Sequence, residues 1–220
     1  MNTDQTIPWD DVWKATVDTT VMLGFSTLFT VLIGVPLGIL VFLFSKGQLL
    51  SNRLIYTVLS SVINLFRSVP FVILMITLIP LTRLLVGTAI GVEGTIPPLV
   101  FGAAPFLARI VEQSMREVDK GVIEAAQAMG ASPWQIVTRV LLPEARPGLI
   151  GGITITAITL LAYTAMAGLI GGGGLGQLAI NYGYNRFRTD IMLVTVFILL
   201  IMVVILQTVG DRLVARYSRK

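Results

Sequence analysis

The sequence predicts an all-α fold: a polytopic membrane protein with five transmembrane helices and one long polar loop on the cytoplasmic side. Three observations lead there. Of 220 residues, 55% are hydrophobic and only 13% charged, with a mean hydropathy of +0.84, too little charge to cover the surface of a soluble domain. The apolar residues gather into stretches about as long as a bilayer core requires. Basic residues cluster on alternate connecting segments, as they do when cytoplasmic loops retain positive charge.

The candidate spans cover roughly residues 17–44, 55–79, 96–113, 149–170 and 191–210. In the first, Gly34 to Gly38 has the GxxxG spacing that allows close helix approach, but Pro36 inside it suits a kink as readily as a dimer face. The third begins at Ile96-Pro97-Pro98 and meets Arg109 and Glu112 near its end. It therefore either emerges early or lets Arg109 snorkel to the interface. Ahead of the first span, Asp4, Asp10 and Asp11 stand against Lys14 alone, the reverse of a basic leader, so this span is expected to stay as an anchor. No repeat and no Pro- or Ser-rich linker interrupts the pattern. The expected organisation is an extracytoplasmic segment at 1–16, one membrane domain at 17–210 and a cytoplasmic tail at 211–220.

Orientation follows from the basic residues. Lys46, Arg53, Arg109, Arg116, Lys120, Arg139, Arg146, Arg212, Arg216, Arg219 and Lys220 fall on one side, against Lys14, Arg83, Arg186 and Arg188 on the other. This places the N-terminus outside and the C-terminus in the cytoplasm. The net charge of +4 thus reads as membrane topology, with no nucleic-acid partner.

Cysteine and histidine are both absent, which excludes a disulfide framework, a thiolate nucleophile, a Ser-His-Asp triad and any metal site built on imidazole. No stretch matches the phosphate loop GxxxxGK[ST]. Gly171 to Gly176 formally satisfies GxGxxG, yet a membrane span precedes it and the topology places it outside the cell. A dinucleotide fingerprint needs a strand before it, so the run reads as close backbone packing at an outer mouth, or as a flexible turn. Proton- or sodium-coupled carriers usually need intramembrane carboxylates, and the spans offer almost none beyond Asp18. A secondary transporter is accordingly the weaker alternative to an energised one.

The polar loop at about 114–148 is the most patterned part of the chain. A first short helix runs through Glu124-Ala125-Ala126-Gln127-Ala128-Met129, and Gly130 stands where a C-terminal cap wants a positive φ. Ser132 can cap a second helix with Pro133 at its first position. Trp134, Val137 and Leu141 give that helix an apolar stripe. Pro143 is expected to stop it, and Pro147 to reinforce the stop. Such a hairpin suits the inner membrane face, while the alanines also leave a smooth face that another protein's groove could accept.

Glu124-Ala125-Ala126, then Gly130, Val140 and Leu142-Pro143, resembles the signature loop of permease subunits of type I ABC importers, where the position of Val140 is commonly isoleucine. The similarity runs from about residue 16 to 210. Phe66-Arg67-Ser68-Val69-Pro70-Phe71, Gly102-Ala103-Ala104-Pro105-Phe106, Gly173-Gly174-Leu175-Gly176, Tyr182-Gly183-Tyr184 and Val209-Gly210-Asp211-Arg212 resemble the methionine-uptake branch of that family. The resemblance implies a bacterial inner-membrane homodimer served by two ATP-binding cassette subunits, which would bind ATP and Mg; this chain would hold no cofactor. Coupling would rest on Glu124, Ala125, Ala126, Gly130, Ala131, Ser132, Pro133, Leu142 and Pro143. An extracytoplasmic, lipoprotein-type binding protein would deliver methionine, in D- or L-form or as a derivative, near Gly173, Gly174, Tyr182, Tyr184 and Arg186. Another small amino acid is the alternative cargo.

Candidate path residues are Arg67, Ser68 and Pro70 in span two and Thr156, Thr159 and Tyr163 in span four. A charge well inside a span is costly, so Arg67 either meets a substrate carboxylate or pairs with carbonyls freed by Pro70. Gly152, Thr156, Thr159 and Tyr163 form a small and polar stripe that serves helix packing as readily as path lining.

Overall fold

The computed structural model describes residues 6–218; Asp4, Arg219 and Lys220, which entered the charge reading, lie outside them. The described chain is helical and carries no strand. Its elements are α1 (Trp9–Phe44), α2 (Arg53–Ser68), α3 (Phe71–Thr77), α4 (Ile79–Val86), α5 (Gly91–Arg116), α6 (Lys120–Ala128), α7 (Pro133–Ile136), α8 (Leu142–Glu144), α9 (Arg146–Ala167), α10 (Gly174–Leu178) and α11 (Thr189–Tyr217). Four of these stretches are long and apolar enough to cross a membrane: α1, α5, α9 with its 3-10 extension to Ile170, and α11. A bent pair makes a fifth, because α2 and α3 meet at 104°.

That bend corrects the expectation of one continuous helix over 55–79. Pro70 has no N–H to continue the ladder, and it pushes the preceding residue out of the helical region. Val69 accordingly sits at φ −84, ψ 126, in extended conformation. The third span starts earlier than expected, at Gly91, whose N–H donates to the Gly171 carbonyl at 2.8 Å. At the loop, Pro143 does not end the second helix. A π turn over Val137–Leu141 precedes it, and its wider hydrogen-bonding step accommodates a ring that would strain an unbroken α-helix. Pro147 then falls in the first turn of α9, where a missing N–H costs nothing.

The chain divides into two compact units. The first comprises residues up to Leu28, Pro70–Val100 and Ala157–Leu206. Val12, Ala15, Leu175, Leu178 and Ile191 form an apolar cluster there, and Phe71 stacks on Tyr163 with ring centroids 4.1 Å apart. In the glycine-rich turn, Leu175 N–H donates to Thr19 Oγ1 at 2.8 Å and Thr95 Oγ1 donates to the Gly172 carbonyl. A Cβ on Gly174 would lie 2.5 Å from Thr19 Oγ1. The turn is therefore a packing element, as one of the two sequence readings held.

The second unit comprises Phe29–Val69, Phe101–Thr156 and the residues from Gln207 onward. Its core joins Phe42 and Leu43 of α1 and Leu107, Val111 and Met115 of α5 to Ile123, Ala126, Ile136, Val137 and Leu141 of the loop. Gly34 and Gly38 explain how closely α1 approaches α5: a Cβ on Gly38 would come within 2.5 Å of the Ala108 carbonyl oxygen. The GxxxG spacing thus serves packing within this chain, and α1 continues as helix through Pro36.

Candidate functional site

The loop hairpin is built on two caps. Asp119 opens α6, its carboxylate accepting from Gly121 N–H at 2.7 Å. At the far end Gly130 N–H donates to the Gln127 carbonyl and Ala131 N–H to that of Ala126, the paired bonds of a Schellman motif, with Gly130 at φ +78. Ser132 then opens α7 with a capping box: Gln135 N–H donates to Ser132 Oγ, and Ser132 N–H to Gln135 Oε1. Ser132-Pro133-Trp134-Gln135 carries that box in the sequence, where reading Ser132 alone finds only half of it.

These caps hold a hairpin with two distinct faces. Ile123 and Ala126 of α6 and Ile136, Val137 and Leu141 beyond it are buried in the core. Glu124, Ala125, Ala128, Gly130, Ser132 and Pro133 are exposed, and Met129 keeps 81% of its surface. Ala131, Leu142 and Pro143 are half-buried. The expected stripe of Trp134, Val137 and Leu141 is split: the last two are in the core, while Trp134 is 74% exposed. Ile136 lies inside in its place.

Behind the loop, α5 carries a charge cluster. Glu112, with its side chain only 5% exposed, accepts from Arg109 at 2.5 Å and from Arg116 at 2.7 Å. Arg109 also donates to Asn64 Oδ1 and to the Ser60 carbonyl of α2. Arg109 is therefore paired within the protein, and its snorkelling to an interface is not needed. Paired carboxylate and guanidinium at i, i+3 and i, i+4 spacing were visible in the sequence; the α2 partners were not.

Of the path candidates, Arg67, Ser68 and Pro70 are exposed on this chain. Ser68 Oγ donates to its own helix, at the Asn64 carbonyl. Thr156 is buried and donates to the Gly152 carbonyl at 2.7 Å, the behaviour of a helix-packing residue; Thr159 and Tyr163 are half-buried. More telling is α2 as a whole, which buries only Ser60 and Ile63 and leaves Thr57, Ser61, Asn64 and Ser68 exposed at helical spacing. The hydroxyl and amide periodicity could have revealed that stripe from sequence.

In the first unit, Tyr182 OH donates to Asp11 Oδ2 at 3.0 Å, and the Arg186 guanidinium sits 4.5 Å above the Tyr182 ring. Gly173 borders a depression of about 240 Å³ with Asp11, Lys14, Asp18, Asn181 and Tyr182, whereas Gly174 is buried. Tyr184 is exposed, and Phe187, unpredicted, is 88% exposed at φ 56. Arg188 and Asp190 pair at 2.6 Å, and that hydrogen bond raises the Arg188 pKa further above its ordinary value. Among the described residues no group of acidic side chains could hold a metal ion.

The chain joins a capped hairpin and a broken span to helices long enough to cross a membrane, and comparison with known proteins gives the class: the membrane component of a binding-protein-dependent transport system. The model of the family "binding-protein-dependent transport system inner membrane component" matches residues 34–220. The probable D-methionine transport system permease protein MetI of Vibrio cholerae is 47% identical over 211 residues, covering 96% of this chain and 94% of that one. The methionine import system permease protein MetP of Bacillus subtilis is 51% identical over 201 residues, covering 91% and 90%. A chain from inward-facing structures of the MetNI methionine ABC transporter superposes with a TM-score of 0.93 at 45% identity, covering 96% of this chain and 97% of that one. The chain belongs to the family of binding-protein-dependent transport system inner membrane components, and is a multi-pass permease of the inner membrane.

Proposed function

We propose that this chain is the permease subunit of an ATP-driven methionine importer, working as a pair of copies with two separate ATPase subunits that bind ATP and Mg. The observation that carries the reading is the hairpin. It is rigid at both caps, anchored in the core through Ile123, Ala126, Ile136 and Val137, and turns Glu124, Ala125, Ala128 and Met129 outward. A capped surface of this kind suits insertion into a cleft: its backbone is already ordered, and at Ala125 and Ala128 no side-chain freedom is lost on docking. Eight of the nine coupling residues, Glu124, Ala125, Gly130, Ala131, Ser132, Pro133, Leu142 and Pro143, are assigned to that contact, and Ala126, buried, supports it from the core.

Exposure along α2 supports a second copy. A membrane helix that presents Thr57, Ser61, Asn64, Arg67 and Ser68 to lipid would set a polar stripe and a charge against hydrocarbon, at a few kcal/mol for the charge. A second α2 and a water-filled path between copies remove that cost. Single cysteines at Thr57, Ser61 or Ser68 of this cysteine-free chain are expected to cross-link copy to copy, as residues near a two-fold axis do. Only monomeric products across the scan would argue for one copy.

Methionine enters through the relatives: it is the cargo in the names of the 47% and 51% identical proteins. A zwitterion with an apolar tail suits a route of hydroxyls, one arginine and aliphatic walls. The binding protein is assigned to the surface around Tyr182, Tyr184, Arg186 and the depression beside Asp11 and Lys14. Labelled methionine should accumulate in vesicles only with ATP and ATPase on one side and the binding protein on the other. Accumulation of another small amino acid instead would discard the cargo and keep the importer; no ATP dependence would discard the importer.

The N-terminus is placed outside and the C-terminus in the cytoplasm. Reporter fusions after Lys14 and after Lys220 should report opposite compartments, and agreement between them would overturn the five-span topology.

A further inference from the structure

We infer that the second unit holds a binding site for one anionic phospholipid, in the groove between the last turns of α1 and the start of α7. Pro36, Ile39, Leu40, Leu43, Leu50, Pro133, Trp134 and Val137 enclose about 480 Å³ with no charged residue among them. The wall is almost wholly hydrocarbon, which an alkyl chain fits and a polar ligand does not.

Depth selects the occupant. Pro36 lies eight residues before Phe44, where the apolar helix ends, so the groove reaches about 12 Å along the span. A soluble subunit does not penetrate that far into hydrocarbon, whereas an acyl chain lies there by default. The headgroup end is equally defined. Beyond Phe44 the chain folds back, with Leu50 N–H donating to the Leu43 carbonyl and Asn52 N–H to that of Phe44, which brings the 46–53 turn to the mouth of the groove. Lys46 and Arg53 flank Leu50 in that turn; both are exposed and neither forms an ion pair among the described residues. Two unpaired cations in the turn that carries Leu50 to the slot complement a phosphate headgroup carrying net negative charge. Trp134, amphipathic and 74% exposed, is suited to the boundary between the two regions. The inference rests on membrane insertion and not on the cargo.

The permease–ATPase complex in nanodiscs provides the test, with Trp134 as reporter. Fluorescence quenching assigned to Trp134, as the difference between the parent and Trp134→Phe, is compared for phosphatidylglycerol and phosphatidylcholine brominated in mid-chain at equal mole fraction. A preference for phosphatidylglycerol of about fivefold or more is expected, falling to parity in the K46Q/R53Q variant. Equal quenching by both lipids in the parent would mean ordinary boundary lipid and overturn the site. Absence of quenching by either would mean that protein, a second copy or the ATPase, fills the groove, which also overturns it. So would a preference that survives the double substitution.

Discussion

Replacing Gly130 with valine is expected to abolish most uptake while the protein still inserts in the membrane at parental yield. Gly130 closes α6 at φ +78, where a Cβ costs about 1–2 kcal/mol and a β-branched side chain more. Space does not enter: nothing lies within 4 Å of a Cβ built there. The strain is relieved by unwinding the last turn of α6, which removes the Gly130 and Ala131 bonds and reshapes the face formed by Ala125, Ala128 and Met129. Docking weakened by this much lowers coupled uptake by about tenfold. Gly130→Asn, which tolerates the left-handed region, should retain most of it. Parental uptake by Gly130→Val would separate the hairpin's shape from coupling and count against the proposed role.

The second large effect is expected at Glu112. Its carboxylate is held between Arg109 and Arg116, and Glu112→Ala leaves the half-buried Arg109 guanidinium uncompensated beside α2. Breaking a buried pair in this way costs about 3 kcal/mol; the Arg116 contact, 41% exposed on the arginine side, adds little. For a chain of this size that corresponds to a fall in Tm of about 6–12 °C, measurable on detergent-purified protein. Joint replacement by Arg109→Met and Glu112→Leu should recover much of the loss, because two apolar side chains leave no charge stranded. An unchanged Tm in Glu112→Ala would show that water already solvates the cluster.

The two positions differ in how visible they are without a structure. Gly130 stands between an alanine-rich helix and Ser132-Pro133, a local grammar of cap, turn and restart, and its positive φ follows from neighbours within six residues. Glu112 is adjacent to Arg109 and Arg116 in helical spacing, yet its weight depends on burial and on Ser60 and Asn64, some fifty residues away. Exposed alternation on α2 was equally local and could have been read; the groove beside Trp134 could not.

By itself, the sequence determined the class of the fold, four of the five spans as single helices and the capped hairpin. Each of these depends on hydropathy over about 20 residues or on backbone preferences within a few. Tertiary structure alone decided that span two breaks beside Pro70, that Gly34 and Gly38 meet α5 of the same chain, and that Pro143 is passed by a π turn. Each of those is a choice among locally allowed alternatives. A proline permits a break or a kink, and a GxxxG face permits any close partner. Such choices are settled by contacts between residues far apart in sequence, where the energy of packing exceeds the small local preference.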